Sequence, residues 1–276
     1  MAYQILPKRG FADTPRGQIH YMEYVGGGNT KTKGGRPALL MLHQTPRSSD
    51  EFLEVLPLFG ENFRAIAIDT IGFGNSYKSA DNNQPTIEDF ASGVIDFLDA
   101  LGITKTHLLG HHTGAVIAIE VAVSHPERVH KLVLSACPYV DEDYHRHKEV
   151  MDSDEETEDG SYLLSLWQRR RAIYPKDHRV DHLRRFMIDA LLAGPNRTGG
   201  HAAVRTYKLE DKYGRITQPT LLVVGTEDHN AGLVMKKVAK QIKGSRMRSI
   251  VGGTVTLPNQ MPKEFVDTIT PFLLNG

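Results

Sequence analysis

A chain of 276 residues, 40% hydrophobic and 24% charged, can bury one α/β core with an inserted subdomain, and a second independent domain is not required. Its 33 basic and 33 acidic residues cancel to a formal charge of +0, which excludes the overall field that draws a protein to nucleic acid or to an acidic membrane. The expected partner is a small hydrophobic molecule, with homo-oligomerisation left open and no nucleic acid or membrane. Met1 to Arg16 lacks the apolar run of a signal peptide, and no stretch is apolar enough for long enough to span a bilayer. The single cysteine, Cys137, cannot form an internal disulfide, so a reducing cytoplasm is the expected location.

Short apolar runs alternate with amphipathic ones, the pattern of a mostly parallel sheet covered by helices on both faces. Strands are expected near 19–25, 38–43, 65–69, 106–109, 132–136, 221–224 and 247–251, with helices near 50–58, 87–101, 115–124, 233–242 and 263–274. The glycine- and lysine-rich stretch 26–37 lacks the G-x-x-x-x-G-K-S/T spacing of a phosphate loop and reads as a solvated hairpin connection. The alternation breaks at 138–215, where an acidic run over 152–159 precedes helix-like patterns near 162–171, 180–192 and 202–209. The chain therefore reads as a core of 1–137 and 216–276 with a helical lid, 138–215, over the strand ends. In that lid the acidic run reads as a solvated loop, and Trp167 and Phe186 as packing residues.

Gly110-His111-His112-Thr113-Gly114 has the spacing of a nucleophile elbow, G-x-Nuc-x-G, with histidine where the nucleophile should stand. The apolar run Thr106-His107-Leu108-Leu109 precedes it and the helix-like run from Ala115 follows, the strand–turn–helix setting that the motif requires. An imidazole there is a base rather than an attacking group.

Two further segments join the elbow in a resemblance to the α/β-hydrolase superfamily, nearest its haloalkane dehalogenase and epoxide hydrolase branch. Leu42-His43-Gln44-Thr45-Pro46 resembles the H-G-x-P loop after the third strand, with Gln44 in place of glycine. Asp69-Thr70-Ile71-Gly72-Phe73-Gly74-Asn75-Ser76 matches the D-x-x-G-x-G-x-S turn, and Pro219 to Asp228 looks like the late strand and loop that carry the triad acid. The resemblance implies an α/β-hydrolase fold, an oxyanion hole from the Thr45 and Thr113 amides and an acid at Asp228; His43 and Gln44 are candidates beside the substrate, and His43 also reads as a structural residue that orients its loop, with a second pocket imidazole near His112 as the alternative. Two positions depart from the family pattern. His112 replaces the nucleophile, and Val251-Gly252-Gly253-Thr254-Val255-Thr256 carries no histidine where G-x-G-H is typical.

Three readings follow. The first is a cofactor-independent hydrolase acting on an ester, a lactone or an activated carbon–carbon bond, with His112 as base and Asp228 tuning its polarity; elimination or decarboxylation needs the same groups. The second is a non-catalytic receptor or carrier on a degenerate hydrolase scaffold. The third is a protein-interaction scaffold, supported only by the acidic run. His111 reads as a packing residue, and Asp228 has the alternative of bonding backbone donors, Thr254 or Thr256. No metal site is expected: His111 and His112 diverge on an extended strand, and His145 and His147 share a face only if their segment is extended. The Gly72-Phe73-Gly74 turn lacks the third glycine of a dinucleotide site, so no nucleotide cofactor is expected.

Overall fold

Leu39, Leu40, Met41 and Leu42 are apolar in succession, so both faces of their strand must be covered, and the chain builds a sheet that covers them. The computed structural model describes residues 7–26, 35–78, 85–147, 156–174 and 180–275. Its sheet comprises β1 (Lys8–Thr14), β2 (Gly17–Tyr24), β3 (Ala38–Leu42), β4 (Arg64–Ile68), β5 (Thr106–His111), β6 (Val129–Ser135), β7 (Thr220–Gly225) and β8 (Arg246–Ile250). They lie in the order β1-β2-β4-β3-β5-β6-β7-β8; β1–β2 and β2–β4 are antiparallel and the remaining pairs parallel.

The helices are α1 (Leu56–Phe59), α2 (Ile87–Ala100), α3 (Thr113–Ser124), α4 (Glu142–His147), α5 (Ser161–Ile173), α6 (Val180–Ala193), α7 (Gly199–Thr206), α8 (His229–Gln241), α9 (Leu257–Gln260) and α10 (Pro262–Leu274). Alternate strand residues feed opposite cores, as the period of two demands. Leu40, Leu42, Ile66 and Leu134 pack with Val94 and Phe97 of α2, Val116 and Ile119 of α3, and Met235 of α8. Leu39, Met41, Ala67 and Val133 pack on the other face with Leu56 and Phe59 of α1 and Phe265 and Ile269 of α10.

The structure bears out the mostly parallel sheet and corrects three local expectations. β1 carries Lys8, Arg9 and Asp13 on an exposed edge, so its burial pattern gives almost no apolar alternation to read. The helix expected near 50–58 is a one-turn 3-10 helix, Ser49–Phe52, followed by α1, whose proline marks a fresh start. Helix α8 begins at His229 because the Asp228 carboxylate accepts the Ala231 N–H at 3.0 Å as its cap. Residues 27–34 of the expected hairpin connection, and 152–155 of the acidic run, lie outside the described residues.

Among the described residues, the elements between β6 and β7 are all helices. Leu166 and Tyr174 from the α5 side and Leu183, Phe186 and Ala190 of α6 form a small core of their own, with Trp167 against it. The insertion is tied back to α3 through Glu120, which accepts from Tyr207 and from Lys212 Nζ, the latter at 2.8 Å.

Candidate active site

Strand β5 delivers the elbow to the carboxyl edge of the sheet. His112 turns the backbone at φ 52° and ψ −113°, a conformation that L-residues adopt only under constraint, and α3 starts at the next residue. Ser135 O accepts the His112 N–H at 2.9 Å, and His112 O accepts from Ala115. The flanking glycines are required by close approach: a methyl at Gly114 would meet the Leu42 and His43 carbonyls, and one at Gly110 would meet the backbone of Gly114 and Ala115. His112 is thereby left half-buried, projecting from a turn whose neighbours are buried.

Thr113 occupies the first turn of α3, where its N–H has no helical acceptor and the helix end carries partial positive charge. Its hydroxyl is buried without a hydrogen-bond partner among the described residues. Thr45 is buried on the loop after β3, and its bond to Pro46 is cis. The two residues assigned as oxyanion donors thus stand on the loop after β3 and at the head of α3.

His43 orients its loop, the structural role its sequence reading also offered, and Gln44 joins that framework. His43 Nε2 accepts the Thr70 N–H at 3.0 Å, so the ring's other nitrogen donates to Gln44 O at 2.9 Å. The Gln44 N–H donates to Glu51 Oε2 at 2.8 Å, and its side-chain amide donates to the same carboxylate. Both side chains are buried with polar groups engaged inside the protein, which leaves little to offer a ligand.

Asp69 gives the D-x-x-G-x-G-x-S motif a structural meaning. Its carboxylate accepts the Ser49 N–H at 2.7 Å, the Asn75 N–H at 2.8 Å and His20 Nδ1–H at 2.9 Å. Burial opposes its charge, but these donors win and hold the carboxyl below the usual carboxylate range. The pair of loops around the elbow is fixed by this one group.

On the far side of the elbow, His111 joins three elements: Nδ1 meets Ser135 Oγ at 2.9 Å and Nε2 meets Val255 O at 2.8 Å. It is a packing residue, as its place in the motif suggested. The loop that usually holds a triad histidine is clamped by Gln260, whose Oε1 accepts the Thr254 N–H at 2.8 Å and hydroxyl at 2.9 Å while Nε2 donates to Gly252 O at 3.0 Å. Thr254 and Thr256 bond each other at 3.0 Å. Of the alternatives for Asp228, the backbone one is realised, as the cap of α8; its second oxygen is buried without a partner among the described residues.

The insertion supplies what the sequence did not announce. The start of α7 lies on the elbow: the His201 ring meets the His112 ring edge to face, with centroids 6.1 Å apart at 89°. A methyl at Gly200 would collide with the Thr45 side chain, and the Asn196 amide stands over Gly72. His201 follows a glycine pair at the head of a helix-like run, a signal with no content until the approaching helix is known. His145 is engaged elsewhere, with Nδ1 2.5 Å from Arg205 O and Nε2 3.2 Å from Glu210. Among the described residues no helix is long and apolar enough to cross a membrane.

A mostly parallel eight-stranded sheet, with a strained turn leading from a central strand into a helix, defines the class of α/β-hydrolase-fold proteins. A family model described as the alpha/beta hydrolase fold matches residues 37–254, and the chain belongs to that family. Mouse epoxide hydrolase 4 is 32% identical over 105 residues, 38% of this chain and 29% of that protein, so the chain spans less than a third of that relative's length. Haloalkane dehalogenase 2 of Mycobacterium bovis is 30% identical over 122 residues, 44% of this chain and 39% of that protein. The fold of the enol-lactonase from Burkholderia xenovorans LB400 superimposes with a TM-score of 0.75 at 17% identity, covering 96% of this chain and 100% of that one. The chain is a hydrolase-fold protein related to epoxide hydrolases and dehalogenases.

Proposed function

We propose that the protein is a cofactor-independent enzyme that cleaves a hydrophobic small molecule at an ester, a lactone or an activated carbon–carbon bond, with His112 as general base. The reading rests on one observation: a strained elbow presents a half-buried imidazole at the head of α3, next to Thr113. In the hydrolytic form, His112 takes a proton from a water molecule as the water oxygen bonds to the carbonyl carbon. The carbonyl oxygen becomes an oxyanion and accepts from the Thr45 and Thr113 amides, an interaction worth about 3 kcal/mol per well-placed donor. Asp228 acts on this site through the position of α8 rather than as a partner of an imidazole. The insertion serves as the lid.

Alkyl-enzyme chemistry of the dehalogenase or epoxide hydrolase kind is not part of this proposal, because histidine replaces the carboxylate that would attack carbon. A non-catalytic receptor is the second reading, favoured by the Gln260 clamp, which replaces the usual triad histidine with a braced threonine turn. The two separate in one experiment with 4-nitrophenyl butyrate. His112→Gln keeps approximate size and hydrogen bonding and removes the base, so turnover falls about a hundredfold in the enzyme with KM within a few-fold. Unchanged turnover rules His112 out as base.

A further inference from the structure

Resting on that reading, we propose that His201 is the general acid of the same site, so that the insertion carries a catalytic group and does not merely cover one. The Gly199-Gly200 pair brings α7 so close to the oxyanion loop that a side chain at 200 would strike Thr45, and the next residue sets its ring against His112 at 6.1 Å and 89°. His112 comes from the elbow at the head of α3 and His201 from the start of α7. Water attacking beside His112 and an alkoxide departing from the same tetrahedral carbon would lie on different sides of that carbon, His112 serving the first and His201 the second.

The proton count closes. Neutral His112 takes one proton from water as the oxygen bonds to the carbonyl carbon and the π pair moves onto the carbonyl oxygen. That pair then reforms the carbonyl, the carbon–oxygen bond to the alcohol breaks, and the leaving oxygen takes the proton of imidazolium His201. The products are the acid and the alcohol, with His112 protonated and His201 neutral; a proton passing from the first ring to the second through solvent restores the starting state. Several other titratable groups on the surrounding elements have partners or surroundings of their own. His43 and His111 are hydrogen-bonded at both nitrogens, Asp228 caps α8, burial pushes the Cys137 thiol up, and Glu120 is paired with Lys212. Arg205, also on α7, is exposed, and its carbonyl accepts from His145.

The test compares two esters that differ in their need for an acid. The phenolate of 4-nitrophenyl butyrate departs unprotonated, whereas the alkoxide of ethyl butyrate does not. His201→Gln should lower kcat on ethyl butyrate about a hundredfold and on 4-nitrophenyl butyrate by no more than a few-fold, while His112→Gln lowers both. Equal losses on the two esters, or none, overturn His201 as acid and leave His112 as base. Failure of the wild-type protein to hydrolyse either ester overturns both readings. A second readout is independent of turnover: in NMR titrations of the imidazole carbons, His201→Gln should move the midpoint of His112. An unmoved midpoint overturns the pairing.

Discussion

Arg47 donates its Nε–H to one oxygen of Asp189 at 2.7 Å, and the other oxygen accepts the Ser48 hydroxyl at the same distance. A single carboxylate on α6 therefore grips the two residues that follow the Thr45–Pro46 bond, and the oxyanion loop and the insertion form one mechanical unit. Arg47 also reaches Asn259 Oδ1 at 3.3 Å, which extends the unit to α9.

Removing half of a buried ion pair leaves an uncompensated charge out of water. Asp189→Ala is expected to cost about 3–5 kcal/mol of unfolding free energy, and replacing both partners, as Arg47→Met with Asp189→Leu, should recover much of it. Urea unfolding of the two variants beside the wild-type protein measures this; a single variant no less stable than the double one would contradict the burial argument.

Strain at the elbow is separable from chemistry. His112→Gly places at φ 52° a residue without a Cβ, whereas His112→Ala keeps the Cβ there. The glycine variant should be more stable than the alanine variant by about 1 kcal/mol, with turnover lost in both. Thermal denaturation against a matched ester assay decides it.

Asp228 is expected to behave as a helix cap. Asparagine keeps the acceptor, so Asp228→Asn should leave stability and turnover within a few-fold of wild type, and Asp228→Ala should lower stability by about 1 kcal/mol. A large loss of turnover in the asparagine variant, with stability intact, would return a direct role to the carboxylate.

The pH dependence of stability has an identifiable source away from the site. Burial, aided by His130 and Lys131, holds the His107 imidazole down at about 4 from an ordinary value of 6.5. The unfolded chain therefore binds the proton between those values and the folded chain does not, so this contribution is complete above pH 6.5 and is lost as pH falls to 4. It amounts to about 2 kcal/mol, and His107→Phe should flatten the slope of unfolding free energy across that window. Glu54, which His182 and Arg185 hold down at about 2 against its own burial, adds a separate loss below its ordinary 4.5. Denaturant titrations at pH 7, 4.5 and 3 resolve the two.

The core was legible because its physics is local: the run Leu39 to Leu42 can only be a strand covered twice, and Gly110 and Gly114 around a central residue can only be a tight turn at this spacing. The edge strand β1 was illegible because solvent accepts any residue on its exposed positions. His112, Thr45 and Thr113 could be named from motif spacing, since each lies within two residues of a glycine or proline that shapes its loop. His201 and Asp189 could not, because their partners lie about 90 and 140 residues away and nothing in a helical pattern says which helix will touch the elbow. The structural role of His43 was legible from its place in the motif, but the partners were not: the motif names the loop, and only the fold brings Thr70 and Glu51 to the polar atoms of His43 and Gln44.

Gln260 bears on the descent of this protein as well as on its stability. Serine at 112 alone would have no histidine to activate it. Histidine at 254 would lose the threonine hydroxyl that Gln260 holds, while one oxygen of Asp228 is committed to capping α8. A single change at 112 or at 254 therefore does not by itself assemble a serine–histidine–acid site, and the change at 254 gives up a bond that is present.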